Sequence, residues 1–281
     1  MTRSARRPIV AVMRMLCAAL LGYAIFLGYL YLRQESLIFH PEPLPADYRF
    51  DPGHPGHPGQ RVDEVRIAVP EGEIHALHFR QPAARGLVFY LHGNGGNLAT
   101  WTVNADFYRD IGYDLFMLDY RGYGKSRGRI TSEPQLHADV RAAWEQIAPE
   151  YAGRPIAIIG RSLGSGLATR LARDVHPALL VLVTPYTSAL ALARQHYPFV
   201  PAWLMRYPLS SDALMGDIAS PILLIHGTED ALTPLAHSHA LFALARSPAE
   251  LLEIPGAGHE DVHEFPAYRA GLAQRLQSLA R

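Results

Sequence analysis

Gly160-Arg161-Ser162-Leu163-Gly164 carries the G-x-S-x-G spacing, directly after the apolar run PIAII and before LGSGLATRLA. A strand that turns at once into a helix sets the central serine on a sharp, strained corner, and the residues two positions to either side must be glycine to avoid clashing. The same corner puts the hydroxyl at a helix N-terminus, where the dipole favours developing negative charge. A serine becomes a useful nucleophile only beside a base, and the base needs a carboxylate to orient it. Downstream, the run ILLIHG ends in Thr228-Glu229-Asp230, and LLEIPGAGHE delivers His259 on a glycine-rich loop. The order serine, acid, histidine makes Asp230 the acid and His259 the base, with Glu229 the alternative acid one residue away. Taken singly, each has a plainer reading: a turn for Ser162, an N-cap before Pro234 for Asp230, a loop position for His259.

Acyl transfer at such a serine generates an oxyanion that needs two fixed donors. The backbone N–H of Leu163 supplies one. The run LVFYL is followed by His92-Gly93-Asn94-Gly95-Gly96-Asn97, where small residues let backbone approach a substrate, and the Asn94 N–H is the expected second donor. Two other chemistries compete. A phosphate cradle would need G-x-x-x-x-G-K-[ST], but Gly124-Lys125-Ser126 has Asp119 where the first glycine belongs. His259-Glu260-Asp261-Val262-His263 spells H-E-x-x-H, yet zinc ligation requires both histidines on one helical face plus a third ligand. Gly256 and Gly258 just ahead of it put His259 in a loop instead. No metal and no cofactor is expected.

The elements that must position these groups are short apolar runs at Leu87–Leu91, Leu115–Leu118, Ile156–Ile159, Leu179–Val183, Ile222–Ile225 and Leu251–Ile254. Helix-length amphipathic segments such as Glu133–Ile147 and Leu163–Val175 lie between most of them. Val62–Val69 and Ile74–Phe79, joined by Glu71-Gly72-Glu73, read as a leading hairpin. Near-continuous apolar strands alternating with helices imply an α/β domain, a mostly parallel central sheet covered on both faces. Reactive groups then gather at the carboxyl ends of the strands. A short insertion around residues 185–217 brings Tyr186, Tyr197, Phe199, Trp203 and Tyr207, aromatics that either shape an acyl pocket or pack the core.

The N-terminus is of another kind. Arg3, Arg6, Arg7 and Arg14 precede a charge-free run from Met15 to Leu32. As a helix that run spans roughly 27 Å, close to the hydrocarbon thickness of a bilayer. It ends in Tyr-Leu-Arg-Gln-Glu without small residues for a signal peptidase, so an uncleaved anchor is expected over residues 1–36. The arginines place the N-terminus in the cytoplasm and the rest of the chain across the membrane, facing the periplasm if the cell is bacterial. Residues 37–60, with PGHPGHPG at their centre, read as a Pro/Gly-rich linker, and 61–281 as the catalytic domain. His54 and His57 on that linker form no convincing metal site.

Composition removes whole classes. Lys+Arg and Asp+Glu balance at 26 each, so no basic field recruits nucleic acid. The single cysteine, Cys17, allows no intrachain disulfide.

LHGNGGN, DYRGYGKS, GRSLGSG, TPYTS, PILLIHGTED and PGAGHED occur here in the order seen in α/β-hydrolases, and the chain resembles that superfamily. More narrowly, it is similar from about Leu37 onward to a membrane-anchored group related to mammalian protein depalmitoylases. The resemblance implies esterase or thioesterase chemistry at Ser162, Asp230 and His259, with Asn94 and Leu163 holding the oxyanion and a small-molecule or lipid-borne acyl ester or thioester as substrate. Two departures stand out: one cysteine and a hydrophobic helix replace the depalmitoylases' N-terminal cysteine cluster, and Ser165 replaces the glycine common after GRSLG. A serine peptidase or amidase would use the same triad, although no residue marks an amine-binding pocket. A non-catalytic binding protein on this scaffold would be expected to have lost a triad member, and none is missing.

Overall fold

The structure is a computed structural model that describes residues 3–50 and 61–279. Its frame is one eight-stranded sheet in the order β1-β2-β4-β3-β5-β6-β7-β8. The strands are β1 (Arg61–Val69), β2 (Gly72–Arg80), β3 (Gly86–Leu91), β4 (Tyr113–Asp119), β5 (Ile156–Arg161), β6 (Leu179–Val183), β7 (Ile222–Gly227) and β8 (Ala249–Ile254). Pairings β1–β2 and β2–β4 are antiparallel and the other five are parallel. The expected mostly parallel sheet is therefore present, and each short apolar run lies within one of its strands.

Alternation along each strand explains why both faces are covered. Leu87, Phe89 and Leu91 of β3 enter one apolar core, while Val88 and Tyr90 enter the other. In β6, Leu180 and Leu182 divide from Leu179, Val181 and Val183 in the same way. A strand whose every side chain is apolar suits only a sheet with helices on both sides. The helices that follow are α1 (Arg3–Ile38), α2 (Leu98–Trp101), α3 (Ala105–Asp110), α4 (Glu133–Ile147), α5 (Leu163–Val175), α6 (Ala189–His196), α7 (Ala236–Leu244) and α8 (Pro266–Ser278). Helix α4 starts where its sequence directs: Ser132 Oγ accepts from the Gln135 N–H at 3.2 Å, and Pro134 sits in the first turn. β1 is an edge strand with one mostly exposed face, which accounts for its mixed composition.

The register aligns the strand ends. Leu91 pairs with Gly160, Arg161 with Val183, Val183 with Ile225, and Gly227 with Ile254. The loops after β3, β5, β7 and β8 thus leave the sheet along one rim.

Two N-terminal regions differ from what their composition implies. Helix α1 runs past the charge-free stretch, and Val10–Ile38 is long and apolar enough to cross a membrane. The chain beyond it, read as spacer, is bound to the domain as far as Leu44. Phe39 is buried, Pro41 and Pro43 make bridges to Gly96 and Gly124, and Leu44 N–H donates to the Gly124 carbonyl at 2.8 Å. Prolines cannot donate to a ladder, but the residues between them can, so a Pro-rich strip still lies along the β3 and β4 loops. His54 and His57 lie outside the described residues.

Candidate active site

Ser162 sits between β5 and α5 with φ 49° and ψ −118°, in the left-handed half of backbone space that a non-glycine residue adopts only under constraint. The constraint is visible. Ser162 N–H donates to the Val183 carbonyl at 3.0 Å, and its carbonyl accepts from Ser165 N–H at 2.9 Å and Ser165 Oγ at 2.6 Å. A Cβ on Gly160 would meet the Gly164 carbonyl and Ala168, and one on Gly164 would run into the Leu91 carbonyl. Close approach of backbone, more than dihedral freedom, is what demands glycine at these two positions. Ser165, which departs from the related pattern, is fully buried and ties the corner down through its hydroxyl.

The three residues picked from sequence converge. Ser162 Oγ–H donates to His259 Nε2 at 2.9 Å, and His259 Nδ1–H donates to Asp230 Oδ2 at 2.7 Å. Asp230 Oδ1 accepts from the N–H groups of Leu232 at 3.0 Å and Thr233 at 2.7 Å. Glu229, the alternative acid, is exposed. Burial alone would push the Asp230 carboxyl up. Hydrogen bonds from His226, His259 and the Thr233 N–H, with the charge interaction of His259, outweigh that and hold it well below the usual carboxylate range. Asp230 is therefore an anion throughout the neutral range, as a carboxylate that orients a histidine has to be.

Asn94 and Leu163, the expected oxyanion donors, lie where the β3 and β5 loops meet. Leu163 is the first residue of α5, so its N–H has no acceptor within the helix. Gly93, next to Asn94, faces Ser162 so closely that a Cβ there would stand 3.6 Å from the Ser162 Cβ. The Asn94 side chain is fixed: its Oδ1 accepts from His40 N–H at 3.1 Å and from Tyr123 Oη at 3.0 Å. His40 belongs to the strip just after the membrane-type helix, so that strip helps hold the loop.

Two contributing residues escaped the sequence reading. Arg161, the unspecified position in G-x-S-x-G, donates through Nη2 to the carbonyls of His259 at 3.1 Å and Glu260 at 2.8 Å, fastening the histidine loop to β5. His226, at the end of β7, is wholly buried. Its Nε2–H points at the Thr233 carbonyl, 2.6 Å away, and stands 3.2 Å from Asp230 Oδ2, while Ser238 Oγ–H donates to its Nδ1 at 2.7 Å. A polar residue at the end of an otherwise apolar strand, four positions before the acid, was the available signal. Its partners could not be read from spacing.

His263 does not join His259 as a ligand pair. Only Val262–Glu264 of that stretch is helical, a single 3₁₀ turn. Both ring nitrogens of His259 are engaged, and His263 Nδ1 accepts from Arg161 Nη1 at 3.2 Å. Burial, then the Arg161 charge, lowers the His263 pKa.

Two cavities adjoin Ser162. One, of 360 Å³, has Trp101, Arg161, Glu260, His263 and Arg269 in its walls. The other, of 350 Å³, is bordered by Ser162, Leu163 and Asn94 and otherwise mostly by apolar side chains of α1 and the segment after β6. The aromatics of the 185–217 insertion divide accordingly. Tyr186 and Tyr207 are buried, Tyr186 and Tyr197 border the apolar cavity, and Phe199 and Trp203 are exposed.

This geometry agrees with what the chain is similar to. Residues 82–212 match the family described as serine aminopeptidase, S33, a span that holds Ser162 and Asn94 and ends before Asp230. The α/β-hydrolase domain-containing protein 17B of Homo sapiens is 34% identical over 199 residues, 69% of this chain and 67% of that protein. An uncharacterised protein of Mycobacterium tuberculosis is 30% identical over 261 residues, 90% of this chain and 88% of its own length. Among solved structures, an esterase of Pyrococcus furiosus superposes with a TM-score of 0.66 at 18% identity, covering 86% of this chain and 96% of that one. Acetyl xylan esterase 1 from a Thermoanaerobacterium species does so with a TM-score of 0.66 at 16% identity, over 82% and 87%. At such identities these structures speak for the fold alone. The sequence relatives establish that the chain is a hydrolase of the α/β-hydrolase superfamily, in the group that includes α/β-hydrolase domain-containing protein 17B.

Proposed function

We propose that the protein is a serine hydrolase that cleaves carboxylic ester or thioester bonds through an acyl-enzyme on Ser162. The observation that carries this reading is the unbroken hydrogen-bonded chain Ser162–His259–Asp230, at 2.9 and 2.7 Å, assembled from three separate loops on one rim of the sheet. His259 Nε2 takes the Ser162 proton as Oγ attacks the acyl carbon. Asp230 keeps Nδ1 protonated and supports the imidazolium, and the N–H groups of Leu163 and Asn94 hold the oxyanion. Collapse of the tetrahedral intermediate expels the alcohol or thiol, which takes the proton back from His259. Water then attacks the acyl-enzyme with His259 again as base, releasing the acid and restoring Ser162.

Ester or thioester chemistry is preferred over aminopeptidase chemistry because of the apolar cavity. A free amino terminus is recognised by a carboxylate, yet among the described residues bordering that cavity there is no Asp or Glu, and its one charged side chain is the cation Arg194. In the polar cavity, Glu260 already faces Arg161 at 3.8 Å.

The anchor belongs to the same reading. Helix α1 holds the enzyme in a membrane as a single pass, with the arginine-rich end in the cytoplasm and the catalytic domain on the opposite side. A fluorophosphonate probe tests the mechanism: digestion and mass spectrometry should find the label on the peptide containing Ser162. No labelling, or labelling on another residue, overturns the serine assignment.

A further inference from the structure

The apolar cavity beside Ser162 is walled in part by α1, the helix long and apolar enough to span a membrane. Leu30, Gln34, Leu37 and Ile38 of α1 border it, across from Tyr197 and Val200 of the segment after β6. These four positions bracket Arg33, the first charge after the uncharged run. Counting from Arg14, the last charge before that run, roughly twenty residues at 1.5 Å each reach Gln34, about the 30 Å of a hydrocarbon core. The cavity thus lies at the level where the helix leaves the bilayer.

The helix is fastened there. Gln34 is buried, donates through Nε2 to the Leu204 carbonyl at 2.7 Å and accepts at Oε1 from Arg206 N–H at 2.7 Å. Glu35 pairs with Arg206 at 2.6 Å and accepts from Tyr207 Oη at 2.8 Å. Further back along the helix, Tyr23 Oη donates to the Phe199 carbonyl at 2.6 Å and the Phe26 ring lies tilted against the Phe199 ring, 6.0 Å between centroids. Phe199 and Trp203 stay exposed on the same segment, at 56% and 75%. Tyr23 and Phe26 belong to the uncharged run, so this segment lies against the apolar part of the helix, where aromatic side chains left open suit contact with lipid.

We propose that the last turns of α1 form a wall of the acyl-binding groove, so that the hydrocarbon chain of a membrane-borne acyl ester or thioester passes from the bilayer surface along the helix to Ser162. The inference rests on the esterase reading above and adds to it the source of the substrate and a determinant of chain length. A soluble ester with a short acyl group needs none of this wall; a long acyl chain is bound by it through burial of methylenes.

The test uses the full-length enzyme in detergent micelles, with nitrophenyl decanoate and nitrophenyl acetate as substrates. Leu30→Trp and Leu37→Trp each place bulk in the groove, and Leu20→Trp places the same bulk on an exposed position of α1 that does not border it. The ratio of kcat/KM for the decanoyl over the acetyl ester should fall about tenfold in the groove variants, the equivalent of roughly two methylenes denied burial. In Leu20→Trp it should stay as in the unmodified enzyme. No fall in either groove variant, or an equal fall in Leu20→Trp, overturns the inference while hydrolysis of both esters leaves the esterase reading standing. An unmodified enzyme that cleaves neither ester overturns both.

Discussion

The two sides of Ser162 are built in opposite ways. On the side of the triad, each group is held by hydrogen bonds that engage backbone: the Ser162 corner by Val183 and Ser165 beside two close-packed glycines, Asp230 by two N–H groups, the His259 loop through its carbonyls by the Arg161 side chain. On the side of the apolar groove, the walls come from the membrane-type helix and a loop-rich insertion, joined to each other by a few side chains around Gln34 and Arg206. Reaction geometry tolerates little displacement, so it is set by rigid, short-range backbone contacts. A chain of methylenes needs only an apolar surface of suitable length, which two loosely related elements can supply. Chemistry and specificity should accordingly respond to mutation with very different magnitudes.

The largest effect is expected on the triad side. His259→Ala removes the base and should lower kcat for ester hydrolysis by about 10⁶-fold with the fold intact, measured as initial rates with circular dichroism as the control. Asp230→Asn keeps the shape but forfeits the orienting anion and the Nδ1–H tautomer, a loss of about 10⁴-fold. That variant also tests electrostatics. The folded Asp230 carboxyl lies below its ordinary range, so its ionised form stabilises the protein at pH above roughly 4, and this contribution is lost as the pH falls below that value. Tm measured against pH should therefore fall less steeply on acidification in Asp230→Asn than in the unmodified protein.

His226 gives an intermediate case, a positioning residue behind the acid. His226→Phe should reduce kcat by about tenfold, on the scale of one lost hydrogen bond to a charged group. Because His226 is one of the donors that lower the Asp230 pKa, its loss brings the folded pKa closer to the unfolded one, and the acid-side fall of Tm should be smaller in this variant than in the unmodified protein. An unchanged Tm profile would assign His226 to packing alone. The smallest effect is expected on the exposed surface of the segment after β6, where Trp203→Ala, at a residue 75% exposed, should change stability by no more than about 0.5 kcal/mol by denaturant titration.

The same contrast explains what the sequence discloses. That Asp230, His259 and Ser162 converge could be expected because the first two each follow a short apolar strand on one rim and the corner at Ser162 imposes glycine at fixed offsets. The helices Glu133–Ile147 and Leu163–Val175 have their expected bounds because capping and apolar period act locally. His226 and Arg161 were invisible as contributors, since their partners are set by tertiary contacts and not by spacing. The strip around Phe39–Leu44 resembles spacer in sequence for a related reason. Its prolines signal only that no regular element can form, and they are silent on what the backbone between them bonds to. The groove is the least legible part, because nothing in Leu30 or Leu37 distinguishes a side chain facing lipid from one bordering a cavity.

The most direct test of the account is the hydrolysis of a nitrophenyl ester by full-length Ser162→Ala beside the unmodified enzyme. Removal of the hydroxyl that His259 accepts from should cut kcat by about 10⁶-fold, leaving only what the oxyanion donors and binding provide. Turnover by Ser162→Ala at the rate of the unmodified enzyme would contradict the acyl-enzyme mechanism at its root.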